Sequence, residues 1–146
     1  MVFKIFPFFY FFIFFGCQTP PGYFITDSNL IISESRKAIT AVIGKPRFVS
    51  MNGRELVSEY HDAKFKTIDV EEKSTVRYFT SVTILGARRP YEINIQVVQQ
   101  LFETESGSYI KTGLDEGLTE KRAREIKKAH NYSLEKQQKF DGDNPF

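Results

Sequence analysis

The sequence predicts an α+β domain: a helix packed on an antiparallel meander of four to five strands, followed by a C-terminal helix. Three observations predict it. Apolar residues recur at helical spacing through Ser28–Ile43 and again around Ala123 and Ile126. Asn52-Gly53, the strongest short hairpin signal, separates two alternating runs. Val76–Leu85 and Tyr91–Phe102 are long and rich in β-branched and aromatic residues. Their polar alternation is that of an antiparallel sheet with one wet face.

The first helix carries Ile31, Ile32, Ser35, Ala38, Ile39 and Val42 on one stripe. Asp27 or Ser28 can cap it, or Ser33 if it starts later, and Gly44 and Pro46 stop it. A two-residue turn at Asn52-Gly53 pairs Met51 with Arg54 and Val49 with Leu56. Val49, Met51, Leu56 and Tyr60 then share the face expected to meet the core. His61–Thr75 is polar and reads as a loop. The next two strands follow, joined by a turn at Gly86–Pro90, and Tyr109–Lys111 reads as a short edge strand. Leu114–Gly117 reads as a loop, and Thr119 as the cap of a helix from Glu120 to about His130. The polar residues after Tyr132 predict a disordered tail.

At the other end, Lys4 precedes an apolar run, Ile5–Phe15, that is too short for a bilayer span of roughly 20 residues. Eight of the 15 Phe lie in this leader, so the aromatic bias says little about the core. The segment Ile13-Phe14-Phe15-Gly16-Cys17 resembles the lipobox of bacterial lipoproteins. Phe14 and Phe15 depart from the usual Leu and small residue. The resemblance implies cleavage after Gly16, lipidation of Cys17 and attachment to a membrane through that lipid. Cys17 is the chain's one Cys, so an internal disulfide is excluded. Gln18 at the second mature position implies sorting to the periplasmic face of the outer membrane. The chain thus divides into a signal peptide at 1–16, a lipidated tether at 17–27, one α+β domain at 28–131 and a tail at 132–146.

Removal of Met1–Gly16 takes away one charge, Lys4, and leaves 19 basic against 18 acidic residues. Such a balance gives no reason to expect nucleic acid as a partner. The two His are His61 and His130. His61-Asp62 is the one tempting catalytic pair, yet neighbours in a strand point to opposite faces. Asp141-Gly142-Asp143-Asn144 starts like a calcium loop but lacks the later ligands. Neither a metal site nor a cofactor site is legible, and no catalytic residue is assigned. Arg88-Arg89-Pro90 stands at a strand-turn tip, where a planar guanidinium pair can grip carboxylate or phosphate. Lys121, Arg122, Arg124, Lys127 and Lys128 crowd the last helix and read as a solvated face supported by Glu120–Arg124.

The expected function is a non-enzymatic binding or scaffolding role toward another envelope protein, with Arg88 and Arg89 as the candidate contact. Val42-Ile43-Gly44-Lys45-Pro46 followed by a strand pair ending at Tyr60 resembles the small lipoprotein of the outer-membrane β-barrel assembly machinery. That likeness spans about Ile32–Tyr60, lacks that family's second helix before the Gly-x-Pro, and carries over no binding residue. Two alternatives stay open. One is a small-ligand or hydrolytic site between sheet and helix, needing His61, Asp69 or Glu92 to converge. The other is recognition of anionic polymer or lipid head groups by the same basic residues.

Overall fold

The computed structural model describes residues 21–69 and 74–143, and Cys17 with the whole leader lies outside them. In chain order the elements are β1 (Tyr23–Ser28), α1 (Ile32–Ile43), β2 (Phe48–Val49), β3 (Glu55–Val57), β4 (Val76–Leu85), β5 (Tyr91–Glu103), β6 (Ser108–Leu114) and α2 (Glu116–Asp143). The class is α+β, with every strand pair antiparallel.

β5 is the hub of the sheet. One side pairs with β4 from Val76↔Leu101 to Leu85↔Glu92. The other side holds two strands end to end, β1 against Ile95–Tyr91 and β6 against Glu103–Val98. β3 and β2 continue the sheet beyond β4. Ile25, Leu56, Val82, Ile84, Ile93 and Ile95 form one apolar face and are buried with Ile39 of α1 and Ala123 and Ile126 of α2. Both helices therefore lie on that face. α1 and α2 run antiparallel, since the Val42 carbonyl near the end of α1 meets Arg122 near the start of α2.

Between β1 and β6, β5 has no strand to bond at Val97. The start of α2 fills the gap. The Val97 N–H donates to Thr119 Oγ1 at 2.9 Å, and the Asp115 N–H donates to the Val97 carbonyl at 2.9 Å. Asp115 also caps the helix, its carboxylate accepting the Leu118 N–H at 2.8 Å. This corrects the expectation that Thr119 is the cap and Leu114–Gly117 a loop. Thr119 lies one turn inside the helix, and its hydroxyl serves the sheet instead.

Other expectations change for identifiable reasons. Tyr23–Ser28 is a strand, so the ordered domain begins inside the stretch expected to be tether. The helix starts at Ile32 without a side-chain cap, because its N-cap position is the apolar Ile31; Ser28 belongs to β1, and its hydroxyl meets His130 at 2.7 Å. The hairpin register is as expected, Val49 against Leu56. Its turn differs: Gly53 takes φ 67, whereas Asn52 keeps negative φ and uses its side-chain oxygen to accept the Arg54 N–H at 3.1 Å. Met51 is consequently fully exposed rather than in the core. Tyr60 also leaves the core face. Ser58 bonds Thr80 and His61 bonds Tyr78, so three steps on one strand oppose two on β4. That extra residue is a bulge, and it turns Tyr60 outward. Finally, α2 continues through Asp143, where the polar composition predicts a disordered tail. Leu134, Glu135, Lys136 and Gln137 are good helix formers, and the first Gly after them is Gly142.

Thr119→Val should cost about 1–3 kcal/mol in urea unfolding, the penalty for a buried N–H left without an acceptor. Thr119→Ser keeps the acceptor and should cost well under that. Equal losses for the two variants would show that the bond to Val97 contributes nothing.

Candidate functional site

The turn after β4 places Arg88 and Arg89 at an exposed tip, as the sequence predicts. Arg89 reaches sideways, its Nη1 donating to the Asn29 carbonyl at 3.3 Å. Two further arginines join them. The Arg54 guanidinium donates to the Gly86 carbonyl and stacks on Tyr91 with 5.4 Å to the ring centroid. Arg36 of α1 lies against the hairpin turn, its Nη1 2.9 Å from where a Cβ on Gly53 would stand. Four guanidinium groups from α1, the β2–β3 turn and the β4–β5 turn thus line one end of the sheet. Ion pairs among the described residues are Glu34–Lys37, Arg122–Glu125 and Glu120–Arg124, and none involves this group. An end so arranged can grip carboxylate or phosphate through in-plane N–H forks.

The sheet face away from the helices carries a second arrangement. Arg77 is held between two rings, 3.6 Å from the Tyr60 centroid and 3.5 Å from that of Tyr109. Its Nε donates to Gln100 Oε1 at 2.8 Å. Arg47 lies 4.3 Å from the Tyr60 centroid and 5.0 Å from that of Phe79, and its Nη1 donates to the Tyr60 hydroxyl at 3.1 Å. Phe48 stands beside them, 50 % exposed. The bulge that re-aims Tyr60 makes this stack. A strict period of two hides it from sequence inspection.

A third cluster ties the helices to the loop after β3. Arg122, only 5 % exposed, donates to the Val42 carbonyl at 3.2 Å and to Glu125 at 2.9 Å. It thereby places a cation at the C-terminus of α1, which has no basic residue in its own last turn. Phe65 stacks on it at 3.6 Å and meets the His61 ring edge-on at 5.1 Å. Phe65 holds φ 64, a conformation that costs a bulky residue about 1–3 kcal/mol. Asp62 enforces it by accepting the Lys64 and Lys66 N–H groups at 2.8 and 2.9 Å. The expected solvated face of α2 is therefore corrected at Arg122, whereas Glu120–Arg124 is the exposed pair anticipated. The sequence carries the signal: Arg122 stands three residues after Thr119 and four before Ile126, on the apolar stripe.

His61 does not work with the Asp62 carboxylate. Its Nδ1 meets the Asp62 backbone carbonyl at 2.9 Å and its Nε2 the Thr80 hydroxyl at 3.1 Å. Glu92 and Asp69 are exposed while His61 is buried, and Glu92 belongs to the opposite sheet face. His61, Asp69 and Glu92, named above as candidates for a ligand or hydrolytic site, are not brought to one wall. Among the described residues no three His, Cys, Asp or Glu gather as metal ligands. A cleft of about 590 Å³ lies between α1 and the far half of α2, lined by Ala38, Ala41, Ala129, Tyr132 and Phe140 among others. A second cleft, about 390 Å³, does lie between sheet and helix, lined by Tyr23 and Leu114 against Glu116, Thr119 and Glu120 of α2, and holds none of His61, Asp69 or Glu92. No described helix is long and apolar enough to cross a membrane.

Burial lowers the pKa of both histidines from 6.5, and the Arg122 charge adds to the effect at His61. On unfolding each returns to 6.5, so the unfolded chain binds protons first as pH falls. Their contribution is thus complete above 6.5 and is lost as pH drops through the folded values. Urea midpoints should decline as pH falls below about 6.5, each histidine contributing at most about 1.4 kcal/mol per pH unit. His61→Gln with His130→Gln should flatten that decline; an unchanged slope would assign it to other groups. No family model, curated protein or solved structure matches the chain, so a functional reading rests on these residues alone.

Proposed function

We propose that this is a lipid-anchored envelope protein that binds another envelope component without catalysis, using the arginine end as its contact. Cys17 is the acylation point and the outer membrane's periplasmic face the address, on the strength of the lipobox-like leader. One observation supports the contact most directly. Arg36, Arg54, Arg88 and Arg89 arrive from three separate elements, and none is ion-paired to a described carboxylate. Core packing requires no such convergence. Arginines are also enriched where protein interfaces hold their binding energy, and a planar fork selects carboxylate geometry. An acidic protein surface is the partner chemistry that fits.

Two measurements test the reading. Cys17→Ser should leave the domain folded and move it from the membrane fraction to the soluble one; equal partitioning would remove the anchor. Arg88→Ala with Arg89→Ala should weaken partner retention by at least tenfold while stability stays within about 0.5 kcal/mol. Full retention of every co-purified partner by the folded variant would exclude the tip.

A further inference from the structure

The N-terminal chain reaches the sheet along a defined path. The Pro21 carbonyl accepts hydrogen bonds from Gln96 Nε2 at 2.6 Å and Asn94 Nδ2 at 3.4 Å. Both side chains project from the sheet face away from the helices, opposite in parity to Ile93, Ile95 and Val97. Gly22 presses so closely on that face that a Cβ would stand 2.8 Å from the Ile95 carbonyl oxygen. At Pro21 the described chain is therefore seated on side chains of the helix-free face, at the sheet edge beside the start of α2.

We infer that this face, centred on Arg77, Tyr60 and Phe48, rests on the phospholipid headgroup layer. The inference rests on the proposed lipidation of Cys17. From Cys17 to Pro21 there are four steps of chain, which span at most about 14 Å even when fully extended. An acylated Cys17 sits at the headgroup level, so Pro21 and the face beneath it are held within that distance of the lipid. The helices stand on the other side of the sheet, roughly 10 Å further out.

The chemistry of the face suits that position. Arg47 and Arg77 lie flat against Tyr60, Phe79 and Tyr109, so apolar stems and rings are paired with charged ends. Side chains of this amphipathic kind settle where hydrocarbon meets headgroup. Arg47, Arg77 and Lys111 stand on this face with Glu55, Glu59 and Glu92, so its charges are interspersed and balanced, as a zwitterionic headgroup layer accommodates. The arginine end then points along the membrane plane, toward neighbours on the same surface.

The chain has no Trp, so one introduced indole reports alone. Phe48→Trp marks the helix-free face and Tyr132→Trp marks α2; both positions are exposed, at 50 % and 69 %. The acylated full-length variants would be reconstituted in phosphatidylcholine–phosphatidylglycerol liposomes containing a lipid brominated near the headgroup end of its acyl chains. Fluorescence from Phe48→Trp should be quenched severalfold more than that from Tyr132→Trp. Equal quenching, stronger quenching at position 132, or none at position 48 while the protein floats with the liposomes would overturn the inference and leave the anchor standing. A second copy or a protein partner covering the face would give that last outcome. Failure of the acylated protein to float at all would overturn the anchor and the inference together.

Discussion

The structure depends on how one residue in the middle of β5 finds hydrogen-bond partners. β1 and β6 meet the same edge of β5 but leave Val97 between them, with its N–H and carbonyl facing no strand. Buried backbone groups left unpaired cost as much as lost hydrogen bonds. Thr119 and Asp115 supply the partners, and doing so fixes where α2 begins. From that point the helix direction follows. Ala123 and Ile126 come down on the sheet, His130 reaches Ser28 at the end of β1, and Arg122 meets the end of α1.

The polar groups buried under α2 belong to the same arrangement. Arg122, His61 and His130 are each at most 5 % exposed. A buried guanidinium is tolerated only when paired and hydrogen-bonded, and Arg122 has Glu125, the Val42 carbonyl and the Phe65 face. The strained Phe65 is the member that closes this set. Asp62 bends the loop, and the ring's two contacts offset the cost of its backbone. The cluster joins three segments distant in sequence, which explains why it is polar yet buried. It holds the helices to the loop.

Much of this organisation is legible in the amino-acid sequence. The long strands, the hairpin register and the tip at Arg88 and Arg89 follow from local alternation and turn chemistry, which act over a few residues. β1 is not legible, because six residues without clear alternation acquire a strand partner only at Tyr91–Ile95. A strict period of two misplaces Tyr60, because a bulge breaks that period. The far half of α2 reads as disorder because it offers few apolar residues, and Tyr132 and Phe140 are exposed there; its run of helix-forming residues continues the helix all the same. Arg36 and Arg54 escape notice as companions of the tip for a similar reason. Their convergence is tertiary, and no spacing in the chain encodes it.

The seat of Pro21 has a mechanical consequence. Any pull on the chain N-terminal to it is met first by the Gln96 and Asn94 side chains and then by β1. Both sit on β5, the strand that also bonds β4, β6 and the start of α2. Load therefore enters at the best-connected strand and is shared with its neighbours, instead of fraying a free end. Peeling must begin at the side-chain bonds to Pro21, before any rung of the β1 ladder opens, so the domain gives way in steps when tugged from its N-terminus.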